Sequence, residues 1–287
     1  MKTIKKTAEF GTGKNQKFFI ETFENYKEFY ETIKSREKTA HETIKEVFNE
    51  HSSSWLGVKS IEEAENYLFN GWDKYVDKIN NMFNKNVELL GCRKVTRMYN
   101  NVCGFMPIIP NALMGLPKSM IDFKKDYKKS KILNFLIVID RGCGNSPEEI
   151  IEKMTKQLAV IACLEKTGKY RCRIDVAFCG FSDEYRASKT YACCKLKVKS
   201  ENQPFDIKRL CYPVVHSSML RLMMFSWYES IPMNYRDYHI DGYGTSVEYW
   251  NSTCKKQLAE IVKDNNEKVI VFDFGTDAEN LLKGGEL

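Results

Sequence analysis

Three places along the chain gather residues able to do chemistry. The first is the stretch ILNFLIVIDRGCGNSPEEI, which begins at Ile132: an apolar run ends at Asp140, and Gly142, Gly144, Ser146 and Pro147 follow. A strand, a glycine turn and a helix start can cradle a phosphate on backbone amides. The dinucleotide pattern G-x-G-x-x-G requires a third glycine, and Pro147 stands there instead, removing an amide and the close helix packing that glycine permits. A G-x-x-x-x-G-K-[ST] loop is missing too, because in AEFGTGKN the positions that matter hold Ala8 and Asn15 around Gly13 and Lys14. The second place is a pair of strand-like runs in which Arg171 and Arg173, then Lys195, Lys197 and Lys199, alternate with apolar residues. If the two strands pair antiparallel, all five cations share one surface, and like charges so close are unfavourable unless an anion relieves them. Two readings stand: a phosphate-binding face, or an edge hairpin that lysines protect from aggregation. No aromatic platform for stacking bases lies beside it, which argues against sequence-specific single-strand binding. The third is His216 with Ser217, a hydroxyl beside an imidazole at a helix start. Neither a G-x-S-x-G elbow nor a third partner accompanies them, so Ser217 or Ser218 reads as a helix cap, and Arg221 as half of a buried ion pair.

These residues need elements to hold them. From Phe18 to Asn49, Phe19, Phe23, Tyr26, Tyr30, Ile33, Ala40, Ile44 and Val47 recur at helical spacing, predicting one long helix or two. Ser60 and Glu63 form a capping box ahead of a stripe running from Ala64 through Tyr67, Leu68, Gly71, Trp72 and Tyr75 to Ile79, which predicts another helix. The run VCGFMPIIPNALMGLPKSM is broken by prolines and glycines, and the domain boundary is placed there, separating a helical region 1–115 from an α/β domain 116–287. FKKDYKKSK then reads as a solvated connector. Beyond it come an apolar strand from Ile132 to Ile139, a helix opening at Pro147, strands over Tyr170–Cys179 and Tyr191–Lys199, a linker NQPFDIKRLCYPV, a helix through SSMLRLMMFSWYE and a last strand in KVIVFDF. That order predicts a three-layer α/β/α domain with a mostly parallel sheet and one hairpin pair.

The 287 residues carry 44 Lys plus Arg against 38 Asp plus Glu, a net charge of +6 that permits an acidic partner or nucleic acid without requiring either. No apolar run reaches the ~20 residues that a membrane helix needs. The start MKTIKKTAEF has no apolar centre of a secretory signal. A cytoplasmic protein is expected. The ten cysteines form no C-x-x-C and sit mostly within apolar strands, so they read as reduced, core-filling thiols. Cys193 and Cys194 point to opposite faces of a strand and cannot chelate together.

The order of elements resembles a von Willebrand factor A domain, in which an aspartate ending the first strand opens a D-x-S-x-S metal motif. Asp140 stands at that strand end, but Gly142 and Gly144 replace the hydroxyl ligands, so the resemblance implies a degenerate turn that holds no metal. A second resemblance rests on motifs: W-x-G-x-x-S-x-x-E-A with a later G-W (Trp55, Gly57, Ser60, Glu63, Ala64, Gly71, Trp72), the proline-glycine run from Gly104 to Met120, and H-x-x-M-L-R at His216. Together these resemble an uncharacterised family of bacteriophage proteins, over most of the chain after residue 50. The resemblance implies action in the cytoplasm of an infected bacterium. With no cofactor, metal or catalytic residue expected, the reading is a non-catalytic binding protein whose partner is a protein or nucleoprotein assembly, a host defence complex among the candidates. Two alternatives stay open: nucleic-acid binding through Arg171, Arg173, Lys195, Lys197 and Lys199, and a metal- or nucleotide-dependent enzyme at the Asp140 turn.

Overall fold

A computed structural model describes residues 2–10, 14–37, 44–89, 98–103, 106–123, 131–139, 146–166, 168–184, 188–232, 235 and 268–280. The chain opens with strands β1 (Lys2–Phe10) and β2 (Lys14–Phe23). Helices α1 (Tyr26–Arg36), α2 (Ile44–Glu50), α3 (Ser53–Leu56), α4 (Ile61–Asn70) and α5 (Val76–Leu89) come next. A small group follows, made of β3 (Met98–Asn101), β4 (Met106–Pro107), α6 (Ile109–Leu113) and β5 (Met120–Phe123). The last part holds β6 (Lys131–Val138), α7 (Pro147–Lys166), β7 (Tyr170–Glu184), β8 (Ser188–Lys199) and α8 (Ile207–Val215). A π-helical segment Met219–Met224 leads directly into α9 (Phe225–Ser230), and β9 (Val269–Phe272) closes the set.

One sheet has the order β1-β2-β8-β7-β6-β9. Parallel pairing joins β6 to both β7 and β9 and β2 to β8, while β1 with β2 and β7 with β8 are antiparallel. The mixed α/β fold with a mostly parallel sheet and a β7–β8 hairpin therefore agrees with the order of elements in the sequence. Strands from both sides of residue 115 enter this sheet, and one apolar cluster joins Phe19, Ile33, Leu56 and Leu68 to Phe135, Leu158 and Val176. Helix α5 packs on α7, and α4 on α8. The β3-β5-β4 sheet stands separately.

Four elements differ from the sequence reading, each for a physical reason. Residues 14–23 form a strand, not the start of a helix. Phe19 and Phe23 are four apart, which is one helical turn but also two full strand repeats, so their spacing alone does not decide. The stripe from Ala64 to Ile79 is two helices, because α4 ends at Gly71, whose φ of +83° breaks the helix. The linker at Ile207 is a buried helix, capped by Asp206 through the Arg209 N–H, with Pro213 tolerated near its end. The Met-rich helix begins as a π-helix, with all six residues Met219–Met224 buried.

Candidate functional site

Asp140, Gly142 and Gly144 lie outside the described residues. On the turn's far side Ser146 caps α7, accepting from the Glu149 N–H at 3.2 Å. Among the described residues no group of three metal-ligating side chains comes together.

The β7–β8 pairing brings the five candidate cations to one region but does not leave them as one charged face. Asp175 pairs with Lys197 in register and Ala177 with Lys195, yet a register shift beside Ile174 sets Lys199 opposite Ile174, a core position. Such a slip moves a side chain to the other face of the sheet. Lys199, 2% exposed, reaches the carboxylate of Glu165 on α7 at 3.0 Å and donates to the Cys172 carbonyl at 2.8 Å. Lys195 is 3% exposed and lies 3.8 Å from Asp175, which Arg173 approaches at 3.4 Å. Burial pushes the Asp175 carboxyl above its usual range, outweighing the opposite pull of Arg173, Lys195 and Lys197. Lys197, half-buried, is bonded to Glu24. A buried, paired lysine offers a phosphate no charge, so of the five only Arg171 is exposed.

His216 and its hydroxyl neighbours are also drawn inward. Ser218, fully buried, sits 2.9 Å from His216 Nδ1 and donates to the Tyr212 hydroxyl at 3.1 Å. Ser217 donates to the Leu56 carbonyl at 3.0 Å. Neither serine caps the following helix, contrary to the sequence reading; both are used in packing. Among the described residues Arg221 meets no carboxylate, unlike the sequence reading; it donates to the Trp55 carbonyl at 2.7 Å and lies 4.6 Å over its ring. The edge of Trp72 meets the His216 ring at 4.4 Å. The motif residues Trp55, Gly57, Gly71 and Trp72 are thus the docking surface for α8 and the π-helix. Glu63, held below the usual carboxylate range first by the Lys59 N–H and then by the Tyr67 hydroxyl, completes the cap of α4.

Six of the seven cysteines among the described residues are buried. Burial pushes Cys172 and Cys211 up to about 12, where little thiolate exists at neutral pH. Cys194 joins the main core while Cys193 turns to Cys179 across the hairpin, at 3.3 Å between sulfurs.

Sequence reasoning missed the surface of the β3-β5-β4 group. Val102, Met106, Ile109, Leu113, Met114 and Leu116 are 45–83% exposed there, and among the described residues only Ile132 is a comparable large apolar side chain outside it. A signal was present: the run is rich in large apolar residues whose spacing fits neither a helix face nor a strand face, so nothing assigns them to a core.

Over residues 5–281 the chain matches the model of a family described as a domain of unknown function (DUF7192). No curated protein and no solved structure matches it. The first 50 residues, which the motif resemblance left outside, fall largely within this match.

Proposed function

The chain belongs to the DUF7192 family, and we propose that it is a non-catalytic binding protein that docks on a protein partner through the apolar surface of residues 98–123. The observation that carries this is the concentration of exposed large apolar side chains, all but Ile132 among the described residues, in the segment of one small sheet and its helix. Leu113 at 83% and Ile109 and Met114 at 65% are far more open than a core requires, and so many exposed apolar side chains in one short segment mark an interaction site. Lys118, exposed in the same segment, sets positive charge beside it, so the partner is an apolar groove with carboxylate at its rim. The non-catalytic reading is supported by the sealing of the hydroxyl–imidazole pair Ser218 and His216 inside the core. A von Willebrand factor A-like core over 116–287 is part of the same proposal; its support is the β8-β7-β6-β9 order with β8 antiparallel. The resemblance to bacteriophage proteins sets the partner, a protein or nucleoprotein assembly, in the cytoplasm of an infected bacterium.

The test compares the full chain with a Leu113→Asp, Met114→Asp variant in cross-linking capture from producing cells, light scattering and flotation with anionic vesicles. One partner retained by the wild type, released by raised salt and lost by the variant supports the proposal. Retention by the variant, a concentration-dependent dimer that the variant abolishes, or vesicle binding would each overturn it.

A further inference from the structure

We infer that a second, separate site exists: a cleft between α5 and the end of α7 that binds a small planar organic anion about the size of a nucleoside monophosphate. Its volume is about 550 Å3, within the roughly 300–1,000 Å3 usual for ligand clefts. Its floor is apolar. Phe83 of α5 and Ala162 of α7, at 7% and 6% exposure, form with Cys163 a small cluster distinct from the main core, and Phe205 packs against it. Phe205, partly open to the cleft, offers a flat wall that accepts a flat aromatic body.

The rim supplies the charge. Lys166 stands 4.1 Å over the Phe83 ring, and Arg171 is exposed at the start of β7 with no ion pair among the described residues. Glu165, the one carboxylate in the lining, is neutralised by Lys199 at 3.0 Å. The carbonyl end of α7 opposes an anion with the equivalent of about half an elementary charge, against two whole charges from Arg171 and Lys166. Arg171 presents a fork suited to two oxygens of a carboxylate, phosphate or sulfonate. Asn80 and Tyr170 add polar groups beside it for the ligand's substituents. The cleft owes nothing to the apolar surface of residues 98–123, so the two sites stand or fall separately.

The probe is 8-anilinonaphthalene-1-sulfonate, followed by fluorescence on the full chain, with adenosine monophosphate and 2-naphthoate as competitors carrying phosphate and carboxylate. Displacement by either competitor is expected, the stronger one naming the head group. Arg171→Gln with Lys166→Gln, two exposed positions whose change leaves the fold intact, should weaken the probe at least about tenfold, the loss expected for a charge-assisted pair of hydrogen bonds. The Leu113→Asp, Met114→Asp variant should keep the fraction of probe that the competitors displace. Equal binding by the Arg171 and Lys166 variant, failure of both competitors, or loss of that displaceable fraction in the Leu113 and Met114 variant would overturn the site.

Discussion

Lys199 shows what packing does to a residue that strand alternation assigns to water. Its ammonium is buried against Glu165 and two carbonyls, those of Cys172 and Ser200, so its three donors are all engaged. Removing one partner of such a pair leaves an uncompensated charge, and this costs more than the pair itself contributes. Lys199→Met is expected to destabilise the protein by about 3 kcal/mol, read from urea unfolding with an unchanged slope. Adding Glu165→Gln should restore part of that loss, because no buried charge then remains. A loss below about 0.5 kcal/mol would place the pair with exposed salt bridges. The lysine and arginine positions were legible in the sequence. Their burial was not, since it depends on a register shift at Ile174 and on which helix lies across the strand.

At the scale of elements, the segment from Trp55 to Trp72 is a clasp for α8 and the π-helix, and its glycines are where the two come closest. Gly57 has φ +79° and Gly71 φ +83°, and a Cβ at the first would lie 2.6 Å from the Ser217 hydroxyl. At the second it would lie 2.7 Å from the Lys208 carbonyl, which also accepts the Trp72 N–H at 3.0 Å. A hydroxyl can rotate away, whereas a carbonyl held in a helix cannot. Gly57→Ala should therefore cost about 1–2 kcal/mol, the left-handed strain with modest crowding, and less in a Ser217→Ala background. Gly71→Ala should cost more and find no such relief. Thermal unfolding of the three variants checks the order, and equal costs at both glycines would contradict it. The capping box at Ser60 was readable because its signal is local. The break at Gly71 was not, because a glycine inside an apolar stripe is compatible with either a continuous or an ended helix.

For the molecule as a whole, β2 is part of the main core. Phe19, Ile20 and Phe23 are at most 2% exposed, and buried Glu21 holds Arg36 through both oxygens while accepting the Trp227 indole N–H at 2.8 Å. A chain starting at residue 24 would open the edge of β8 and strip those contacts. It is expected to lose its near-ultraviolet circular dichroism and cooperative unfolding, and to aggregate through the bare edge. A native spectrum in that truncation would show that β1 and β2 are dispensable. By itself the sequence determined the α/β class, the β6-α7-β7-β8 succession and the capped start of α4, because each is written in periodicity and capping over a few neighbouring residues. Only the tertiary structure decided that residues 14–23 join the sheet, that Lys195 and Lys199 turn inward and that Ile109, Leu113 and Met114 stay in water. The first two depend on partners beyond the local stretch, β8 for residues 14–23 and Asp175 and Glu165 for the lysines, and spacing along the chain carries no record of what lies opposite.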